Sequence, residues 1–244
     1  MATWIAHLRI AEELLAKIPQ LDAHQFAIGN IAPDSGIPDE HSENFEPPSR
    51  ITHLLVENED EEFQYRDFDF YKEFLSSINP FGRETNKFSF LLGYFFHIIT
   101  DNLWFIKIGR PSRIKYLSKF ENKRVFSKEI KKDWYGLDFA YVRNNPDSIY
   151  WKIFLNSEYK ENFLDFYPND TIARQVEFLK NFYKRADKEI DENYRIQDNI
   201  YLSKDEVDIF VKETVNTLLK IYKILWIEQT EVEVNHSVLE ITGV

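Results

Sequence analysis

The chain has 244 residues, of which 43% are hydrophobic and 16% aromatic, and this supply of core material excludes wholesale disorder. A formal net charge of −11 makes general nucleic-acid binding a poor fit, so no nucleic-acid-binding surface is expected. The chain has no cysteine, which excludes disulfides and thiolate metal sites and leaves histidine and carboxylate as metal ligands.

The N-terminal segment predicts an amphipathic helix over residues 3–18. Thr3 is a suitable cap, and Trp4, Ala11 and Leu14 share one stripe, with His7 in its middle rather than on the charged side. The segment lacks a basic stretch followed by a long apolar block and a small-residue cleavage site. It therefore does not read as a signal peptide, and we expect a soluble cytoplasmic protein.

A loop rich in Gly, Pro, Asn and Ser follows, with the sequence "GNIAPDSGIPDEHSENFEPPSR", and it contains Asp34 and His41. The stretch "ITHLLVE" predicts the start of the next helix, which puts His53 at a helix start directly after a loop. The stretch "DFYKEFLSSI" predicts another short helix.

Residues 88–104, "FSFLLGYFFHIITDNLW", predict one continuous apolar helix. His97 and Asp101 are four residues apart, so both point from the same helix face into the core. Because Thr100, Asp101 and Asn102 interrupt the apolar run, no transmembrane segment is expected.

The region from 109 to 170 gives the least clear pattern. A basic run overlaps the beginning of this region. Residues 107–132 contain ten Lys or Arg and two acidic residues, Glu121 and Glu129. Such a run either orients an anionic substrate or forms a solvated face, and the sequence leaves both readings open.

Two further helices are predicted near the end of the chain. One runs from about Thr171 to Ile190, and the other runs from Ser203, with Glu206 completing a capping box, to about Glu228. Residues 229–244 read as a short strand or a possible loose C-terminal tail. No linker or repeat divides the chain, so we predict an all-α fold with a single helical domain over residues 1–244.

Three histidines and two aspartates occupy places that offer little solvation: His7, Asp34, His53, His97 and Asp101. Each alone has an ordinary explanation, such as a hydrogen-bonded core histidine, a turn aspartate or a buried His–Asp pair. A buried carboxylate is costly unless it is paired or bound to a cation. Together, imidazole and carboxylate are the ligands that zinc and similar divalent ions bind when no thiolate is present.

The order of these motifs resembles the zinc-dependent phospholipase C family, which is related to the S1/P1-type nucleases. "AHLRIAEELL" is similar to the first ligand helix of that family, "GNIAPD" to its aspartate loop and "LLGYFFHIITDNLW" to its HxxxD helix. The resemblance covers roughly residues 3–105. It implies a multihelical fold of the phospholipase C/P1 nuclease type with metal ions held between helices.

Carried over residue by residue, the resemblance implies that Asp34, His53, His97 and Asp101 bind one zinc. His7 then binds a second zinc, and Asp101 bridges the two. The expected cofactor is therefore one or two zinc ions, or another divalent metal.

The chain also departs from the family pattern. In the secreted enzymes of the family the second zinc also binds the amine and carbonyl of an N-terminal Trp, whereas Trp4 is internal here. The third zinc of the family uses two further His and a Glu, yet no histidine lies between Asp101 and His236. That site looks absent unless spare residues such as Asp133, Asp138 or His41 substitute, and a surface role for the two aspartates is the competing reading.

These features predict a zinc-dependent phosphoester hydrolase that uses a metal-activated water, with Asp34 orienting or deprotonating that water. The expected substrate is a small phosphoester or a phospholipid head group. The alternative is a catalytically degenerate binding or structural protein whose metal only holds the fold together. An HD-type phosphohydrolase is excluded because the chain has no adjacent His-Asp dipeptide. Oligomeric state is not indicated.

Overall fold

Helices build nearly all of the architecture: 63% of the structure is helical and 3% is strand, which confirms the all-α prediction. The structure is a computed structural model that describes residues 1–38, 45–57, 63–168 and 170–243. The α-helices of these described ranges are α1 (Trp4–Leu15), α2 (Ala23–Gly29), α3 (Ser49–Thr52), α4 (Asp67–Phe70), α5 (Thr85–Trp104), α6 (Arg110–Tyr116), α7 (Lys123–Asn144), α8 (Ile149–Lys152), α9 (Thr171–Phe182), α10 (Lys188–Asn193) and α11 (Lys204–Tyr222).

Shorter elements connect these helices. The π-helical segments are Tyr71–Leu75, Phe105–Gly109 and Lys223–Ile227, and the 3₁₀ segments are Ala32–Asp34, Leu117–Lys119, Phe154–Asn156 and Val238–Ile241. Two antiparallel strand pairs are described, β1 (Ile37–Pro38) with β2 (Phe45–Glu46) and β3 (Leu55–Glu57) with β4 (Phe63–Tyr65).

Helix α5 is the centre of the core. Every residue from Phe88 to Asp101 is buried, so the helix is enclosed on all sides rather than on the single face that the sequence pattern predicts. The continuous helical stretch Thr85–Lys119 is long and apolar enough to cross a membrane by length and composition, and 83% of its most apolar window is buried inside the structure. Packing of this kind is what a core helix shows.

Helix α2 packs closely on α5 through two glycines. A Cβ atom added at Gly93 would lie 2.5 Å from the Phe26 carbonyl oxygen and 3.0 Å from the Asn30 backbone nitrogen. A Cβ atom added at Gly29 would collide with the Phe90 carbonyl oxygen. Only glycine therefore permits this helix spacing, which brings the Asn30 backbone to the buried face of α5.

The start of the predicted helix around "ITHLLVE" is wrong. Residues Ser49–Thr52 form α3 and His53 is its C-terminal cap, after which Leu55–Glu57 is a strand. The reason is local: Pro48 precedes the short helix, and Leu54 has a φ of 49°, in the left-handed region that ends a helix.

Both predicted C-terminal helices form, with corrected boundaries. The helix that begins at Thr171 ends at Phe182, and α10 follows as a separate helix over Lys188–Asn193. The capping box between Ser203 and Glu206 at the start of α11 is confirmed. The unclear region between residues 109 and 170 contains α7, a helix of 22 residues.

The end of the segment predicted as a loose tail is packed. Val238 and Leu239 are buried, and the Val238 backbone N–H donates to Asp67 Oδ1 over 2.8 Å. The Phe68 N–H donates to the His236 carbonyl oxygen over 3.1 Å. These contacts hold residues 236–239 against α4.

Candidate metal centre

Five side chains from separate parts of the chain meet at one face of α5. His7 comes from α1, Asp34 from the 3₁₀ segment that follows α2, His53 from the end of α3, and His97 and Asp101 from α5. Four of them are at most 1% exposed, while the Asp34 side chain is 11% exposed. The sequence predicts these five positions as one group, and the structure brings all five together.

Four of the side chains place ligand atoms close to one another. His53 Nε2 lies 3.3 Å from Asp34 Oδ1 and 3.4 Å from Asp101 Oδ2. His97 Nε2 lies 3.3 Å from His53 Nε2 and 3.6 Å from Asp101 Oδ2. Four atoms that bind one zinc tetrahedrally at about 2.0–2.1 Å lie about 3.3–3.4 Å apart, and the four separations given above are close to this spacing.

Backbone carbonyls orient both imidazoles of this group. His97 Nδ1–H donates to the Asn30 carbonyl oxygen over 2.7 Å, and a carbonyl only accepts, so Nε2 of a neutral His97 ring directs its lone pair into the group. His53 Nδ1 lies 3.2 Å from the Ser49 carbonyl oxygen and 2.9 Å from the Thr52 hydroxyl. The Nε2 atoms of the two rings are 3.3 Å apart, a distance at which two lone pairs repel each other unless a proton or a metal cation lies between them.

A second group shares Asp101. His7 Nε2 lies 3.4 Å from Asp101 Oδ1, and the His7 ring stacks on the His97 ring with centroids 3.8 Å apart. Neither His7 nitrogen has a hydrogen-bond partner among the described residues, and both are buried. Buried imidazole nitrogens without partners are costly, and a cation at this point would satisfy Nε2. The ligand atoms of His7, His97 and Asp101 lie close enough together to hold an ion.

The N-terminal segment reaches the same carboxylate. The Ala2 backbone N–H donates to Asp101 Oδ1 over 2.5 Å, and the Thr3 hydroxyl donates to Asp138 Oδ1 over 2.6 Å. Thr3 is the residue before α1, but its side chain makes no cap hydrogen bond, which corrects its predicted role. Thr3 instead ties the start of the chain to α7.

The pKa values of this group favour the protonation states that metals require. Burial, reinforced by the nearby His97, lowers the pKa of His7 to about 4, so its ring is neutral. Burial acts to raise the pKa of Asp101, but the amino terminus and the neighbouring His97 and His7 outweigh it and hold this pKa well below its usual range. Burial likewise opposes the lowered pKa of Asp34, where interactions with His53 and His97 prevail.

His97 has the opposite shift. Burial acts to lower its pKa, yet the Asp101 and Asp34 carboxylates outweigh burial and raise it. A proton on His97 therefore balances the buried negative charge when no cation is bound. A divalent ion would displace that proton, which is the usual coupling between metal binding and proton release.

A cavity of about 220 Å³ opens next to the metal-ligand group. Asp34 and His53 line it together with the aromatic side chains of Trp4, Phe45 and Trp134. The centre therefore has an access route whose walls are largely apolar. Sequence reasoning missed the α7 contribution to this wall, although the apolar spacing within "KKDWYGLDFA" is a signal for it.

The spare ligand candidates do not join the centre within the described ranges. Asp133 is buried and accepts hydrogen bonds from Arg195 over 2.6 Å and from the Ile200 N–H over 2.7 Å. Asp138 is buried and accepts from the Tyr183 hydroxyl over 2.5 Å in addition to Thr3. The predicted surface role of both aspartates is therefore wrong, because both are buried and accept hydrogen bonds from other segments of the chain. His41 lies outside the described residues.

Comparison with known families gives one match. A family model described as zinc dependent phospholipase C matches residues 6–224, most of the chain. No curated protein and no solved structure matches the chain.

Proposed function

Because the chain belongs to the zinc-dependent phospholipase C family, we propose that it hydrolyses phosphoester bonds at the His/Asp centre. The observation that carries this proposal is the convergence of five ligand-type side chains at spacings that suit a divalent ion, beside an open cavity. The kinship with S1/P1-type nucleases that the motifs suggest stays a prediction.

The proposed ligands of the first ion are Asp34, His53, His97 and Asp101. His7 and the second oxygen of Asp101 are the proposed ligands of a second ion. When bound, zinc lowers the pKa of a water to about 7 and neutralises charge that develops on a phosphoryl group. If Asp101 holds both ions, its role as a shared ligand would explain why a helix as apolar as α5 carries a buried charge.

Asp34 is the proposed catalytic residue. It belongs to the ligand group, lines the cavity and keeps 11% of its side chain exposed, so a water that enters from the cavity can reach it. Its pKa is held below its usual range, so the carboxylate is ionised and able to accept a hydrogen bond from that water. Asp34 would thereby orient the attacking water and receive its proton.

The apolar cavity wall defines the proposed substrate class. Trp4, Phe45 and Trp134 offer surface for an apolar portion of a phosphoester while they limit the access of bulk water. A small aryl or alkyl phosphoester and a phospholipid head group with its glycerol both satisfy this description.

A degenerate role is the second candidate. Its basis is the absence of histidine between Asp101 and His236, which removes the ligands of the third zinc of the family. In that case the ion would only join α1, α3 and α5, and the protein would bind or scaffold without turnover.

The deciding experiment measures zinc content and hydrolysis of bis(p-nitrophenyl) phosphate by the same preparation. We expect zinc-dependent turnover that chelation abolishes and that Asp34→Asn lowers by about 10²–10⁴-fold, the usual range for loss of a general base. Asp147→Asn is the matched control, because Asp147 is an exposed carboxylate paired with Lys152. Tightly held zinc without turnover of this ester or of p-nitrophenyl phosphate would favour the degenerate role.

A further inference from the structure

Helix α7 adds a basic residue to the wall of the cavity. Lys131, Trp134 and Tyr135 lie at positions i, i+3 and i+4, so they share one helix face, and all three line the cavity that Asp34 and His53 also line. The Tyr135 ring packs against the Trp4 ring with centroids 5.6 Å apart, which fixes this face of α7 against the start of α1. Lys131 therefore shares the cavity wall with Asp34 and His53 of the candidate centre.

Two other lysines of the basic run over residues 107–132 have ion-pair partners. Lys107 pairs with Glu213 over 2.5 Å, and Lys132 pairs with Glu129 over 2.8 Å. Lys131 has no ion pair or hydrogen bond within the described ranges of the chain. An ammonium group without a counter-charge on a largely apolar wall is attracted to an anion that enters the cavity.

We propose that Lys131 binds a negatively charged group of the substrate and makes the site selective for anionic phosphoesters. This inference rests on the proposed function and deepens it. The substrates it favours carry a charge beyond that of a simple phosphodiester, such as a phosphomonoester dianion. The same charge disfavours quaternary ammonium head groups, which aromatic walls alone would attract through cation–π contacts.

Binding of phenylphosphonate tests the proposal without turnover, because its C–P bond is not a phosphoester. Calorimetry on the zinc-loaded protein at low ionic strength would compare the wild type with Lys131→Gln, Lys131→Arg and Lys128→Gln. Lys128 is the matched control, since it is an exposed lysine on the same helix that does not line the cavity. We expect about tenfold weaker binding for Lys131→Gln, little change for the other two variants, and a difference that shrinks at high salt.

Two chromogenic substrates with one leaving group test the selectivity. The wild type should favour p-nitrophenyl phosphate over p-nitrophenyl phosphorylcholine, and Lys131→Gln should lower the ratio of the two kcat/KM values about tenfold. Charge reversal in Lys131→Glu should lower the ratio further, while Lys128→Gln should leave it unchanged. Since Lys131 is exposed, these variants should fold as the wild type does, which circular dichroism would verify.

The two failures are distinguishable. If the wild type hydrolyses neither substrate, the proposed function fails, while calorimetry still decides the role of Lys131. If Lys131→Gln binds phenylphosphonate as tightly as the wild type, if Lys128→Gln weakens binding equally, or if the wild type does not bind it, the proposal for Lys131 is overturned.

Discussion

Asp101 occupies a position where a charged side chain is costly. It is fully buried on an apolar helix, its Oδ2 faces His53 and His97, and its Oδ1 faces His7 and the Ala2 N–H. An ionised carboxylate in such a place is stabilised only by the groups that surround it. The histidines and the carboxylate therefore depend on one another, and a shared cation strengthens that dependence.

Asp101→Ala should remove the bound metal and lower the free energy of unfolding by about 3 kcal/mol, since the surrounding histidines lose their common partner. Plasma mass spectrometry of the purified variant gives the metal content, and urea unfolding gives the stability. His24→Ala is the control: His24 Nδ1 lies 3.0 Å from the Ser157 hydroxyl, away from the centre. That variant should lose about 1 kcal/mol and no metal. Metal retained in Asp101→Ala would refute the site.

His7→Ala separates the two halves of the centre. The variant keeps the four ligand atoms of Asp34, His53, His97 and Asp101, so one ion should remain while a second is lost. The metal-to-protein ratio should fall from about two to about one, measured after exhaustive dialysis against metal-free buffer. A ratio that is already one in the wild type and does not change would show that His7 binds no ion of its own.

The identity of the residues that form the site was its most predictable feature. The spacing of His97 and Asp101 and the apolar surroundings of His7 mark these residues in the sequence itself. The groups that orient the ligands could not be predicted. Every residue has a backbone carbonyl, so the sequence does not show that those of Asn30 and Ser49 face the histidines. The start of the chain was also missed, since the Ala2 N–H reaches Asp101 across 99 positions.

At the scale of elements, the distance between α2 and α5 determines the geometry of the centre. Gly29 and Gly93 allow the two helices to approach, and the approach places the Asn30 carbonyl 2.7 Å from His97 Nδ1. The orientation of a proposed ligand thus depends on a packing contact one helical turn away.

Gly93→Ala should be strongly destabilising. The new Cβ would meet the Phe26 carbonyl oxygen at 2.5 Å, and backbone cannot move aside cheaply, so we expect a loss of about 2–4 kcal/mol in thermal or urea unfolding. Metal affinity should fall as well, because a shifted Asn30 no longer orients His97.

Gly109→Ala is the matched control on the same continuous helical stretch. The nearest atom to its new Cβ is the Trp104 carbonyl oxygen at 3.7 Å, which is ordinary contact. Alanine favours a helix over glycine by about 1 kcal/mol, so this variant should be neutral or slightly stabilised with unchanged metal content. Equal losses from both substitutions would contradict the proposed role of the α2–α5 contact.

The boundaries of elements were less predictable than their presence. A period of apolar residues marks the existence of α1, α5, α9 and α11, whereas His53 falls at a helix end because Leu54 adopts a left-handed conformation. Helix α7 escaped prediction because basic residues dominate its first turns and aromatic residues its later ones. Such composition masks the 3.6-residue period.

On the scale of the whole molecule, two buried carboxyl groups outside the candidate metal centre make stability depend on pH. Burial raises the pKa values of Asp67 and Asp138 to about 7, although hydrogen bonds to both act in the opposite direction. An ordinary aspartate has a pKa near 3.8, so each folded-state pKa lies above that of the unfolded chain. Between about pH 4 and 7 the folded protein binds more protons, and its stability falls as pH rises.

Asp67→Asn should remove the part of the pH dependence of stability that Asp67 causes. Asn Oδ1 can still accept the Val238 N–H, and Asp67 Oδ2 has no hydrogen-bond partner among the described residues. Relative to the variant, the metal-free wild type should lose about 2–4 kcal/mol between pH 4 and pH 8. Urea unfolding in chelator at the two pH values measures this loss. If the free energy of unfolding changes with pH by the same amount in the two proteins, the raised pKa of Asp67 is contradicted.

Zinc should stabilise the molecule as a unit. A free zinc concentration one hundred times the Kd adds about 2.7 kcal/mol, which corresponds to a rise in Tm of about 5–10 °C for a chain of this size. Differential scanning calorimetry with zinc and with chelator measures the shift. A single transition that moves as a whole would support the predicted single domain, whereas two transitions of which only one responds would contradict it.

The position of the first three residues has a practical consequence for anyone who produces this protein. Met1, Ala2 and Thr3 form part of the cavity wall, and Ala2 and Thr3 are hydrogen-bonded to Asp101 and Asp138. An affinity tag fused in front of Met1 would emerge at the cavity mouth and compete with whatever enters there. A Cβ atom added at Gly243, by contrast, would meet no atom within 4 Å, and Gly243 does not line the cavity, so a tag at that end would leave the entrance clear.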